Sequence, residues 1–262
     1  MTSVLTKPKL TRQQLRILTF LYRYRFLTSV QIQQLLQHKD RGRINIWLSD
    51  LRDLDFITWR FHNEAGENMK PAICSLRPTG VRYLSLLNYY PPAGLSRRRR
   101  DKDRSPAFVD KCLMLANISI LLTQADASET TYDVQNASDW ETPEPERDFA
   151  RDLSPDLWIT ETTDQEDSDT LLEIFEPTVP AYMVRKRIKD YIAASDEWQY
   201  RLGTDFLRVL FVCPTIARLI YAKRIARRLI AERGDPDSLD LYFTTFDQLR
   251  RQGFLACGWE QA

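Results

Sequence analysis

The sequence predicts an α+β chain built from two modules, and three observations carry that prediction. Residues 11–54 hold three segments with helical apolar spacing separated by short polar breaks, and two β-prone runs and a further helical segment follow by residue 87. Beyond residue 105 the order is helix, three strands, helix, strand, helix, strand, which predicts a mixed sheet covered by helices. The charge divides at the same place. Residues 1–104 carry 20 Lys and Arg against 8 Asp and Glu, while residues 105–262 carry 17 against 28, so a net charge of +1 conceals a basic half and an acidic half.

Each element has its own local reason. Met1–Leu10 has no apolar period and reads as a loose basic arm. A first helix over 11–24 opens on Thr11 with Gln14, a capping-box pair, and repeats Leu15, Leu18, Leu21 and Tyr22 on one face. Phe26 and Leu27 bridge to a second helix, which opens on Thr28 with Gln31 and packs through Val30, Ile32, Leu35 and Leu36. His38-Lys39-Asp40 breaks the period. A third helix over 40–54 turns Ile44, Trp47, Leu48 and Leu51 inward and carries Arg41, Arg43, Asn45, Ser49 and Arg52 on its other face. Arg pairs bidentately with guanine or phosphate and Asn with adenine, so this is the candidate recognition helix.

Phe56–Phe61 and Ala72–Leu76 predict two short strands joined by a polar tip, the shape of a wing, where Arg60 and Lys70 stand ready for backbone contacts. Pro78 opens a short helix to about Leu87. The first module is therefore expected to be a winged helix-turn-helix over residues 1–88, its partner double-stranded DNA. Residues 89–104 read as a basic linker, because Tyr89-Tyr90-Pro91-Pro92 stops the helix and Arg97, Arg98, Arg99 and Arg100 are expected to stay solvated and add phosphate contacts.

In the second module, residues 105–262, a helix is expected over 106–124 and strands over 130–134, 157–159 and 171–175. A helix over 181–200, a buried strand at 206–213, a helix at 215–233 and a last strand at 239–246 follow. Asp156, after Ser154-Pro155, enters one strand, and Glu173 sits in the next, with an acidic turn between them predicting a hairpin that brings the carboxylates together. Two carboxylates at neighbouring strand ends suit a divalent metal, with Mg²⁺ the expected cofactor and no other anticipated. Pro-Asp, a gap, then acid-x-Lys is the skeleton of the PD-(D/E)xK nucleases, and the element order agrees with that restriction-endonuclease-like fold. Phe175 stands where that motif has Lys. Lys186 and Lys189 on the following helix are the candidate replacements, and Asp110 is a candidate further metal ligand. The competing reading makes Asp156 a turn acid and Glu173 a partner for Arg185 or Arg187.

The runs TRQQLRILTFLYRYRFLTSVQIQQLL, KPAICSLRPTGVRYL and LSPDLWIT…LLEIFE together resemble the replication-relaxation family, bacterial proteins of plasmids and other mobile elements. The resemblance covers most of the chain. It implies DNA binding through the winged helix, a nuclease-like second domain, and an acid pair at Asp156 and Glu173 where the family has its own. The family tends to follow the second acid with polar residues, and Phe175 departs from that.

Three functions follow as expectations. The first is a DNA-binding protein of a mobile element or plasmid, acting in replication, transfer or regulation, with a degenerate nuclease-like domain and with a homodimer or other proteins of a mobile-element complex as further partners. The second is a metal-dependent endonuclease using Asp156 and Glu173. The third is an interaction module that docks a basic partner through the acidic segment 126–180, which holds 17 acids and 2 bases. Cys74, Cys112, Cys213 and Cys257 are scattered singly and His38 and His62 are the only histidines, so no zinc site is expected. No apolar run of membrane-spanning length and no leader segment is read, which places the expected protein in the cytoplasm.

Overall fold

In the computed structural model, residues 8–60, 71–125, 130–139, 152–164, 167–202, 207–233 and 239–262 are described. The chain divides into two compact units, Met1–Arg104 and Ser105–Ala262. The expected N-terminal arm and the tip of the β hairpin, with Lys70, lie mostly or wholly outside the described residues.

The first unit starts with α1 (Arg12–Tyr24), then β1 (Leu27–Thr28), α2 (Ser29–Leu36), α3 (Arg41–Asp53), β2 (Ile57–Arg60), β3 (Ile73–Leu76), α4 (Pro78–Ser85) and α5 (Pro92–Arg98). Both capping boxes form: Thr11 with Gln14 starts α1, and Thr28 with Gln31 starts α2. Asp40 caps α3 by accepting from the Gly42 and Arg43 N–H groups at 2.8 and 3.2 Å, which satisfies donors that a helix start otherwise leaves open. The strands pair antiparallel in the order β1-β3-β2. Leu18, Leu21, Phe26, Ile32, Ile44, Leu48, Leu51, Ile57, Cys74, Val81 and Leu84 form the buried interior of this unit. Val30 and Trp47 depart from the expected inward set: Val30 is exposed, and Trp47 is half-buried with its ring edge-on to His38.

The expected basic linker over 89–104 is corrected by α5. The Arg98 side chain is not solvated: the residue is 4% exposed, and its Nε–H donates to the Tyr22 carbonyl at 2.8 Å. Its guanidinium lies 4.4 Å from the Tyr22 ring centroid. Arg25 likewise donates to both carboxylate oxygens of the fully buried Asp101. A guanidinium buries when a ring face and fixed acceptors replace its water, and α1 and the 3₁₀ turn Asp101–Asp103 supply them.

The second unit places α6 (Pro106–Gln124), β4 (Thr130–Asn136), β5 (Leu157–Thr163), β6 (Asp167–Ile174), α7 (Ala181–Leu202), β7 (Leu207–Cys213), α8 (Ile216–Arg233), β8 (Leu239–Thr245), α9 (Phe246–Gln252) and β9 (Glu260–Gln261) around one sheet. Its order is β4-β5-β6-β7-β8-β9, with β6, β7 and β8 parallel and the other pairings antiparallel. One face carries Leu171, Phe175, Val209, Phe211 and Phe243 under Val184, Ile188 and Tyr191 of α7 and Leu219, Ala222 and Ala226 of α8. The other carries Leu157, Ile159, Leu172, Ile174, Leu210 and Val212 under Met114, Ile118 and Leu122 of α6 and Leu249 of α9. Burial on both faces is why β7 is a continuous apolar run rather than an alternating one. α6 is long and apolar enough to cross a membrane by length and composition, contrary to the expectation that no such run exists. Here Met114, Ile118 and Leu122 spend that apolar character on the sheet.

Candidate functional site

The hairpin β5–β6 sets the position of the acid pair. Leu157 pairs with Leu172 and the Asp156 N–H donates to the Leu172 carbonyl at 2.9 Å, so the antiparallel register runs on to put Asp156 opposite Glu173. Directly opposed residues share a sheet face. Asp156 therefore meets Glu173 at the end of the strands, as the acidic turn implied.

Each carboxylate meets a cation there. Lys111, from α6, places its Nζ 2.8 Å from Asp156 Oδ2, and the Ile174 N–H donates to the same oxygen at 2.7 Å. Both side chains are mostly buried, 15% and 17% exposed, so the pair is poorly screened. Arg187, from α7, grips Glu173 side-on, Nε to Oε1 at 3.2 Å and Nη2 to Oε2 at 2.5 Å. Tyr191 O–H donates to Glu173 Oε2 at 2.8 Å. Arg187 also donates to the carbonyls of Leu153 and Ser154 at 2.8 and 3.2 Å, fixing the turn before Asp156, where Ser154 has a left-handed φ of 46°.

The electrostatics follow from burial. Burial and then the Asp156 charge push the Glu173 carboxyl up, against the pull of Arg187 and Lys111. Lys111 loses solvation, yet the charges of Asp156 and Glu173 outweigh that loss and raise its pKa. Burial and then Glu173 hold the Tyr191 phenol well above its ordinary range, so it remains a donor. A divalent cation needs carboxylate oxygens turned toward it. Here Asp156 Oδ2 and both Glu173 oxygens accept from Lys111, Arg187, Tyr191 and a backbone N–H. That donor set does not fit a metal. Among the described residues, no group of three or more His, Cys, Asp or Glu is placed to hold one.

The other residues read for this site lie elsewhere. Lys186 and Lys189 are exposed on α7, whereas Arg187 between them turns inward. Asp110 is also exposed and lies 3.8 Å from Arg250 of α9, one helix position from Lys111 but on a different face, as the 100° step of a helix requires. Phe175 is 2% exposed and stacks on Phe211 with ring centroids 5.5 Å apart. The position that would carry the motif lysine is thus core, not cleft.

On the first unit, Arg41, Arg43 and Asn45 stand exposed on the first turns of α3. Ser49 and Arg52 are engaged with each other at 3.1 Å, and Arg52 also reaches Asp53 at 3.1 Å and lies 5.0 Å from the Trp59 ring centroid. Arg97, Arg99 and Arg100 are exposed; Arg98 is not. Arg60 ends β2, and Lys70 is outside the described residues.

A family model described as Replication-relaxation matches residues 18–204. The chain belongs to the replication-relaxation family. No curated protein matches it. Two solved structures of the restriction endonuclease FokI are similar in part, one of them bound to DNA. They share 13% and 12% identity, with TM-scores of 0.34 and 0.31, over 92% of this chain and 42% and 44% of theirs. The chain thus spans less than half the length of those structures.

The replication-relaxation match begins inside α1 and ends just past α7, so it contains α3, Lys111, Asp156, Glu173 and Arg187 and leaves out β7, α8 and β8. In this replication-relaxation protein, the residues sequence reasoning did not place are Lys111 and Tyr191. Nothing local marks Lys111: its role follows from α6 carrying it to the strand end where Asp156 lies. Tyr191 had a usable signal, being four residues after Arg187 and so on the same helix face.

Proposed function

We propose that this replication-relaxation protein binds double-stranded DNA through its first unit and that the acid pair of its second unit is a charge-compensated structural centre in a nuclease-like domain rather than a catalytic one. The first unit is read as a winged helix-turn-helix, with α3 as recognition helix and β2–β3 as wing. The observation that carries the reading is the exposed start of α3, where Arg41, Arg43 and Asn45 face outward beside a helix N-terminus. Recognition helices present those first turns to base edges, and a helix start favours phosphate. The unit's balance of 20 bases against 8 acids supports it. The family supports service to a plasmid or other mobile element of a bacterium, in replication, transfer or regulation. A homodimer would read an inverted repeat.

The test joins binding to cleavage. Fluorescence anisotropy with duplex DNA is expected to show binding that Arg43→Ala weakens by about 1–3 kcal/mol, as for a lost base contact. Supercoiled plasmid incubated with Mg²⁺ or Mn²⁺ is expected to stay supercoiled. Unchanged DNA affinity in the variant sinks the assignment of α3. Metal-dependent nicking that Asp156→Ala abolishes overturns the structural reading of the acid pair and establishes an endonuclease.

A further inference from the structure

The second unit holds a cavity of about 320 Å³ on the α6/α9 face of the sheet. Its lining runs along the strands away from the acid pair: Arg208 and Leu210 pair in register with Thr170, midway along β6, and Leu172, whereas Glu173 is near the end of β6. Aromatic groups dominate the lining, with Tyr132 and Tyr242 from the sheet and Phe254 and Trp259 from the segment after α9. Two charged side chains join them, Arg208 and Glu161.

Their states differ. Glu161 is paired in register with Tyr132, whose O–H donates to Glu161 Oε1 at 3.3 Å. Burial, then the Glu161 charge, raises the Tyr132 pKa, so the phenol remains the donor. Arg208 Nε is buried and finds no hydrogen-bond partner among the described residues. A buried N–H of a charged group left unsatisfied costs stability comparable to or above that of a lost hydrogen bond. Arg208 also lines the cavity, so its guanidinium is the cation available to a bound anion. Strand β6 separates β5 from β7, so Glu161 and Arg208 stand on strands about 10 Å apart across the sheet.

We propose that this cavity binds a small aromatic molecule bearing an anionic oxygen group, a carboxylate or a phosphate, at one end and an N–H or O–H donor at the other. The Arg208 guanidinium donates to the anionic oxygen. The Glu161 carboxylate accepts from the donor end and selects against ligands that are anionic throughout. The aromatic walls take the ring, in offset or edge-on contact. The volume falls in the range of small-molecule sites, and a mostly apolar lining with a few convergent polar groups is their usual composition. The site shares no residue with the acid pair, and it gives the second unit a ligand of its own.

The probes are indole-3-carboxylate and indol-3-yl phosphate, which carry the ring, the donor N–H and the two candidate anions. The full chain is titrated with each by calorimetry, beside neutral indole-3-carboxamide and N-methylindole-3-carboxylate. Saturable one-to-one binding by at least one anion is expected, and which of the two binds identifies the anionic group. The carboxamide and the N-methyl analogue are expected to bind at least about tenfold more weakly, and Arg208→Gln to weaken the anion by about tenfold, one lost charge-assisted hydrogen bond. Leu255 lies at the lining and is 55% exposed, so Leu255→Trp keeps the fold and fills the mouth, and it is expected to abolish binding even if Arg208→Gln fails to fold. Absence of saturable binding by both anions overturns the proposal. So does binding that survives Leu255→Trp, or equal binding of the carboxamide.

Discussion

Arg187 is the side chain on which the acid pair depends, and it shows how one residue's role differs from that of its neighbours. It is followed within three positions by Lys189 and preceded by Lys186, yet it alone turns to the sheet and bridges Glu173, Leu153, Ser154 and Tyr191. A planar guanidinium serves several acceptors at once where an ammonium is a point charge. Its removal leaves a buried carboxylate without its main cation, and Arg187→Met is expected to cost about 3–5 kcal/mol in denaturant unfolding. Glu173→Gln is expected to cost clearly less, because the amide keeps the side-chain volume and its oxygen still accepts from Arg187 and Tyr191. The opposite order would mean that the ionised Glu173 holds the site. Lys111 gives a pH signature with a definite sign. Its pKa is raised in the folded protein, so its stabilisation is complete below the unfolded value of about 10.4 and fades as pH rises through the folded value. The stability difference between wild type and Lys111→Met is therefore expected to be constant from neutral pH to about pH 9 and to shrink above about 10.4. A difference that stays constant through alkaline pH removes Lys111 from the pair.

Elements show where the sequence was readable. Helix starts were legible because a capping box is local: Thr11 with Gln14 and Thr28 with Gln31 do what four consecutive residues can do alone. The Asp156–Glu173 juxtaposition was legible too, because an acidic turn between two apolar runs sets a hairpin and a hairpin sets register. Contacts between distant elements were not. No local pattern distinguishes buried Arg98 from exposed Arg97, Arg99 and Arg100; the ring of Tyr22 and its carbonyl, far earlier in the chain, make the difference. Helix α9 repeats a capping box, Thr245 with Gln248, but its seven residues are too few to show an apolar period, and only its first residue, Phe246, falls in an expected element, the strand over 239–246. Two substitutions test the packing of the first unit. In α4, a Cβ on Gly80 would stand 2.3 Å from the Phe56 carbonyl oxygen, a contact with backbone that no rotamer relieves. Gly80→Ala is expected to destabilise by at least the roughly 1–3 kcal/mol of overpacking, read by chemical denaturation. In α5, Arg98→Ala is expected to lower stability and leave the salt dependence of DNA binding unchanged. Arg99→Ala or Arg100→Ala is expected to lower that slope by about one unit and leave stability unchanged. A slope that drops for Arg98→Ala would return the whole arginine run to phosphate contacts.

At the scale of the molecule, the charge division decides what each unit contributes to a polyanion. Met1–Arg104 has its own buried interior and a balance of 20 bases to 8 acids, and Ser105–Ala262 has another interior and 17 bases to 28 acids. Long-range fields of unlike sign act on DNA in opposite directions, and they act at all only where salt leaves them unscreened. The screening length is about 30 Å at 0.01 M salt and about 8 Å at 0.15 M. Fragment 1–104 is therefore expected to bind duplex DNA more tightly than the full chain at 0.01 M salt, the advantage narrowing toward 0.15 M as the acidic unit's repulsion is screened; anisotropy titrations of both across that range measure it. The same titrations distinguish the alternative in which the second unit touches DNA itself. Arg224, Arg227 and Arg228 are exposed along α8, and phosphate contacts there would make the full chain the tighter binder at low salt with the steeper slope. The direction of the low-salt difference thus assigns the second unit either to opposing the DNA contact proposed for α3 or to sharing in it.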